Sequence, residues 1–298
     1  MNRRNVIRTL GLAPGLLATR KLQASVKLRK EDSSRLQYSV NAYSFNALLR
    51  SGDMTFDDMM EFAADLGLDA VDLTGYYFSS YPAPPPDAEL FRLKRKALSL
   101  GLDISWTGIR TDFVNPDATA RKAHRELLRE WLGVSSKLGA SIMRVFTGKS
   151  KHDGQSREEV KQWLIEEFKT CASYGEAVGV IVALQNHNEF LYTSAEVIDL
   201  MKSVDADWFG LILDIGSLRS GDPYYEIEKL APYANYWFIK EFVYHSGVKT
   251  PVDMKKMAAI LKRDGYQGYV SFESLSAGDP KQIVTTMYNS FTTEYDKL

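Results

Sequence analysis

Four apolar runs in the second half of the chain end in residues that can hold metals or move protons. ALQNHNEF places Gln185 and His187 on one face of an extended segment, two positions apart. LILDIGS sets Asp214 at the end of an apolar run, YWFIKEF puts Phe238 and Lys240 in phase, and YVSFESL ends near Glu273. A carboxylate at the end of an apolar strand needs a cation or a cage of hydrogen bonds, because burying it alone is costly. Two carboxylates with neutral O or N donors suit a divalent ion such as Mn²⁺, Mg²⁺ or Zn²⁺. Carboxylate, lysine and histidine together also suit proton transfer beside a carbonyl, which makes Glu273, Lys240 and His187 the candidate catalytic residues.

The first half offers binding groups instead. SVNAYSF puts Asn41, Tyr43 and Phe45 on one face if it stays extended, and VDLTGYYF does the same for Asp72, Thr74 and Tyr76. A proline-rich loop, SSYPAPPPD, follows a cluster of Tyr76, Tyr77 and Phe78 and contains Tyr81. Aromatics at such a rim can stack on sugar rings or simply pack the loop. Arg110 and Asp112 fall in the loop after SWTGIRTDF, and IMRVFTGK carries Arg144 in phase with Phe146. A mid-strand arginine needs a partner, either a carboxylate such as Asp72 or a substrate oxygen. The expected substrate-binding set is Asn41, Tyr43, Tyr76, Arg110, Arg144 and Phe146.

These residues need strands to align them. Helix-like segments end in Gly67, Gly101, Gly139, Gly179 and Gly265, each followed directly by an apolar strand. Glycine there supplies the left-handed turn that closes a helix. Eight strands are predicted near 38–45, 70–75, 103–109, 141–147, 180–187, 210–216, 236–242 and 269–275, each before a segment of helical period. Capping signals at Thr55-x-x-Asp58, Ser156-x-x-Glu159 and Thr193-x-x-Glu196 mark helix starts. Nearly continuous apolar strands imply burial on both faces. Eight βα units over residues 36–298 predict a single α/β domain, a (β/α)8 TIM barrel with its site at the C-terminal strand ends. An open doubly wound sheet is the alternative, weakened because no glycine-rich dinucleotide fingerprint follows any strand.

Composition narrows the partners. The chain has 298 residues, 25% of them charged, and a net charge of −1 with no basic cluster. Small or polar neutral ligands therefore fit better than nucleic acid. The single cysteine, Cys171, sits in a predicted helix and reads as a buried structural thiol. The N-terminus, MNRRNVIRTLGLAPGLLATRKLQAS, pairs Arg3 and Arg4 before a short apolar run. Residues 1–30 thus resemble a twin-arginine export signal, with a periplasmic or exported mature protein expected. The run is too short for a stable membrane anchor. No feature sets an oligomeric state.

The segments VNAYSF, FAADLGLDAVDLTGYYF, QNHNEF, LDIGS, IKEF and FES resemble the xylose isomerase-like barrels, a family of sugar isomerases and epimerases, over residues 36–298. LTGYYFSSYPAPPP and ALQNHNEF resemble a branch with exported bacterial members. The resemblance implies one divalent metal held by Glu, Asp, His and Glu at the ends of strands five to eight. It also implies paired carboxylates that exchange a proton beside a carbonyl. Asp214 and Glu273 match the aspartate and the last glutamate. The first glutamate falls on Gln185, and the histidine of H-x-K falls on Phe238, with Lys240 retained. A surviving metal would use Gln185, Asp214 and Glu273, completed by His187 or a loop His245. Without metal, Glu273 or His187 would be the base and Lys240 would stabilise an enolate. The expected function is a sugar isomerase or epimerase. The alternatives are a keto-glycoside lyase working by β-elimination and a sugar-binding barrel without catalysis. A phosphodiesterase of the endonuclease type is disfavoured by four scattered histidines.

Overall fold

The computed structural model describes residues 36–187 and 189–298. The segment read as an export signal lies outside them. Eight strands close into a parallel barrel: β1 (Gln37–Val40), β2 (Ala70–Asp72), β3 (Asp103–Gly108), β4 (Ile142–Val145), β5 (Ile181–Gln185), β6 (Phe209–Asp214), β7 (Ala234–Lys240) and β10 (Tyr269–Glu273). Each pairs with its neighbour in chain order, and β10 closes on β1, with Val40 opposite Phe272. The open sheet is thereby excluded.

Helices surround the barrel: α1 (Asn46–Ser51), α2 (Phe56–Asp65), α3 (Asp87–Ser99), α4 (Ala118–Leu138), α5 (Arg157–Glu176), α6 (Ser194–Val204), α7 (Pro223–Leu230), α8 (Met254–Asp264) and α9 (Pro280–Tyr295). All three predicted capping boxes form, at α2, α5 and α6. Each satisfies backbone N–H groups that the first turn leaves without helical partners. The glycines that end helices before strands adopt positive φ, from Gly179 at 68° to Gly139 at 83°. One core lies between barrel and helices, and Cys171 is buried in it. A smaller core fills the barrel with Trp106, Ile142, Ala183, Ile212, Tyr236 and Phe238.

Three strands end before their predicted ends and give way to a different element. The first ends at Val40, and Ala42–Phe45 turns into a 3-10 helix. The second ends at Asp72, and Gly75–Tyr77 turns likewise. The seventh ends at Lys240; after Glu241 the chain forms an antiparallel hairpin, β8 (Phe242–His245) with β9 (Val248–Pro251). No helix among the described residues is long and apolar enough to cross a membrane.

Candidate active site

The C-terminal strand ends enclose a cavity of about 470 Å³. Its wall includes Tyr43, Tyr76, Arg110, Arg144, Phe146, Gln185, His187, Lys240 and Glu273. Nine of the sequence candidates are therefore brought together. Asn41 is not among them. Its side chain accepts from the Tyr43 N–H at 2.9 Å and caps the 3-10 helix, so it positions Tyr43 instead of lining the cavity. Asp214 is also set back, fully buried behind Lys240.

Register explains the centre. Glu273 on β10 lies opposite Lys240 on β7, and Phe238 lies opposite Asp214 on β6. Lys240 Nζ lies 2.7 Å from Asp214 Oδ2 and 3.3 Å from Glu273 Oε2. Gly216 makes room for this lysine, since a Cβ there would come within 2.6 Å of Lys240 Cδ. Burial opposes the Lys240 charge, but the two carboxylates outweigh it and hold the ammonium above the usual lysine range.

The two carboxylates differ. Asp214 Oδ2 accepts from Lys240, from Gln185 Nε2 at 2.8 Å and from Ser217 Oγ at 2.7 Å. Its Oδ1 accepts from the Gly216 N–H at 3.0 Å. Asn186 fixes the strand end, donating to the Asp214 carbonyl and accepting from its N–H. Burial alone would raise the Asp214 carboxyl, but the Lys240 charge and these donors hold it below the usual range. Glu273 has no such cage. Its Oε2 is buried and makes no aligned hydrogen bond among the described residues. Burial pushes the Glu273 carboxyl up, and Lys240 offsets this only in part.

This donor set does not fit a divalent cation. Gln185 must turn its NH2 toward Asp214, which only accepts, and its carbonyl toward Arg144, which only donates. Both Asp214 oxygens are taken, the ammonium sits between the carboxylates, and Phe238 carries no donor atom. His245 lies on β8, exposed and packed near the Tyr224 ring. Among the described residues no three His, Cys, Asp or Glu side chains converge to hold a metal ion. The residues expected as ligands, Gln185, Asp214 and Glu273, surround an ammonium instead.

On the other side of the cavity, His187 Nδ1 lies 3.2 Å from Glu189 Oε1, which Lys149 Nζ approaches to 3.1 Å. Burial would raise Glu189, but His187 and Lys149 outweigh it and keep the carboxyl low. The ring of His187 meets Phe146 edge-on at 5.5 Å. Of the aromatic loop, only Tyr76 reaches the cavity. Tyr77 donates to Asn46 Oδ1 at 2.9 Å, while Phe78 and Tyr81 pack on Trp131. The sequence reading passed over Lys149, Glu189 and His124 as cavity residues. Glu189 stands two residues after His187, a spacing that could have flagged it. His124 comes from α4, and no strand-end pattern points to it.

Residues 60–288 match the xylose isomerase-like TIM-barrel family, and the chain belongs to that family. Among solved structures, the fold is similar to D-psicose 3-epimerase from Clostridium cellulolyticum H10 (TM-score 0.71, 16% identity, 87% of this chain and 99% of that one). It is also similar to 3-keto-D-glucoside 4-epimerase from E. coli (TM-score 0.70, 13% identity, 87% and 100%). A third likeness is to the probable 3-DHS dehydratase of Bacillus anthracis (TM-score 0.68, 17% identity, 86% and 99%). No curated protein sequence matches the chain at a significant level.

Proposed function

We propose that the protein is a carbohydrate enzyme that abstracts a proton beside the carbonyl of a sugar or keto-sugar, with an ammonium in place of a metal as electrophile. The observation that carries this is Lys240 Nζ held between Asp214 and Glu273 at the cavity floor. The substrate carbonyl oxygen points at Lys240. Glu273 takes the proton from the neighbouring carbon, and the C–H electrons move through the new C=C bond onto the oxygen, where Lys240 stabilises the charge. Asp214 keeps Lys240 cationic and aimed. His187, oriented by Glu189, is the second proton carrier.

Return of a proton to the same carbon from the opposite face gives an epimer; delivery to the former carbonyl carbon, with the neighbouring hydroxyl losing its proton and the enolate oxygen gaining one, gives an isomer. The names of two similar structures, a 3-epimerase of a keto-sugar and a 4-epimerase of a 3-keto-glucoside, support inversion beside a carbonyl. The dehydratase among them supports β-elimination as another fate of the same enolate. Glu273→Gln is expected to lower turnover of a keto-sugar panel by about 10²–10⁴-fold while leaving the fold intact. Turnover at the wild-type rate removes Glu273 from the role. Elemental analysis is expected to find no stoichiometric metal, and stoichiometric Mn, Mg or Zn lost in Asp214→Ala overturns the ammonium reading. Residues 1–30 support export by the twin-arginine route, and Arg3→Lys with Arg4→Lys is expected to leave the protein in the cytoplasm. Export of that variant at the normal level removes the reading.

A further inference from the structure

Arg144 is only 4% exposed, yet two of its three guanidinium nitrogens have no hydrogen-bond partner among the described residues. It stands on β4 in the cavity wall, with its guanidinium carbon 4.2 Å from the Phe146 ring centre, 5.2 Å from Trp106 and 5.6 Å from Tyr76. Aromatic faces favour a cation, and of these three rings only Tyr76 carries a hydroxyl, on which the Arg144 charge acts. Nη1 makes one long hydrogen bond, 3.4 Å, to Gln185 Oε1. Nε and Nη2 are screened from water and have no hydrogen-bond partner among the described residues. These two atoms share one edge of the guanidinium plane, the edge that grips both oxygens of a carboxylate.

Of the other charges on the wall, Asp112 accepts from the Ser150 N–H and hydroxyl through Oδ2, its Oδ1 being buried without a hydrogen-bond partner among the described residues. Lys240 pairs with Asp214 and Glu273, and Lys149 with Glu189. Arg110 is exposed at the rim, stacked 4.8 Å from the Tyr76 ring centre, with no acceptor for its side chain among the described residues. Asp72 and Glu273 feel the Arg144 charge, but burial holds both carboxyls toward the protonated form. The strand also keeps room for the group: a Cβ at Gly108 would lie 2.8 Å from Arg144 Nε. A buried arginine with an open bidentate edge is costly unless something completes it.

We propose that a carboxylate on the substrate completes it, so that the substrate class is sugar acids. This rests on the reading of the cavity as a keto-sugar site. Arg144 turns its Nε–Nη2 edge from β3, where Nε packs on Gly108, to the carboxylate, and Arg110 closes over it from the rim. The planar Nε–Nη2 edge suits a planar carboxylate. A phosphate would need further donors on its remaining oxygens.

Calorimetric titration of the purified protein tests this without any need for turnover. The probes are D-glucuronate, D-galacturonate and 5-keto-D-gluconate, set against D-glucose, D-galactose, D-fructose and D-glucose 6-phosphate. At least one acid is expected to bind about tenfold or more tighter than its neutral counterpart. Arg144→Lys, which keeps the charge but loses the fork, is expected to erase that preference. Arg110→Gln, at an exposed position, is expected to weaken it. The proposal is overturned if no acid binds, if the neutral sugar or the phosphate binds as well, or if both variants keep the preference. Acid binding through Arg144 with no hydrogen exchange into any sugar supports the subsite and removes the proton-abstraction reading. Exchange on neutral keto-sugars with no acid preference does the reverse.

Discussion

Asp214 and Glu273 flank the same ammonium, at 2.7 and 3.3 Å, but live in opposite surroundings. Asp214 has every oxygen occupied by donors from its own chain and is held ionised. Glu273 has a buried oxygen with no aligned donor, and burial raises its carboxyl. A carboxylate that is fully satisfied has nothing left for a substrate, so Asp214 supports. One that burial raises, with an open oxygen, is suited to exchange a proton, the role proposed for Glu273. The pair teaches that two similar strand-end carboxylates are given opposite proton affinities by their donors, not by their position along the strands, and the proposed roles follow that difference.

The division can be broken from the Asp214 side first. Asp214→Ala leaves Lys240 buried with one imperfect partner and is expected to cost about 3–5 kcal/mol of stability, measured by urea unfolding. An unchanged midpoint means the cage is not structural.

A third buried carboxyl sharpens the contrast next. Asp72 accepts from the Ala42 N–H at 2.5 Å and from Thr74, and among the described residues no cation forms an ion pair with it, though the Arg144 charge reaches it. Burial pushes it up to about 7, with those bonds pulling the other way. The folded state therefore binds more protons than the unfolded chain between about pH 4 and that value. Stability from this group is present at low pH and is lost as pH rises through the window. Asp72→Asn is expected to flatten that decline in thermal melts, and an unaltered slope removes the assignment.

Gly216→Ala forces Lys240 aside, with an expected loss of about 1–3 kcal/mol and a fall in turnover. Stability and rate like the wild type's would show that Lys240 needs no such seat. The smallest effect is on the pH profile. Glu273 must be ionised to take a proton, and its raised pKa puts the acid limb of kcat/KM above the ordinary carboxylate range. Lys240→Met removes the cation that favours the ionised form, so the limb of the residual activity is expected to move further up. A limb that stays put makes another group the titrating base.

Much of this was legible in the sequence. Apolar strands with helix-closing glycines specify the barrel, and the barrel puts Gln185, Lys240 and Glu273 at one mouth. Alternation along a strand failed where the strand stopped. Asn41, Tyr43 and Phe45 lie on a 3-10 turn, so Asn41 caps, Tyr43 lines the cavity and Phe45 is buried. The departure from the family's ligand set was legible, since Gln185 and Phe238 stand where ligands would be. That Lys240 sits between the carboxylates depends on cross-strand register, which no single strand encodes. The hairpin after Lys240 was hidden because its first strand reads as a continuation of β7.

The most direct test of the central claim is hydrogen exchange from D₂O into keto-sugars and keto-sugar acids, followed by NMR in the presence of a chelator. The account predicts deuterium at the carbon beside the carbonyl with the wild type, and its loss in Glu273→Gln. Absence of exchange in the wild type across the panel, or exchange that persists undiminished in Glu273→Gln, would contradict it.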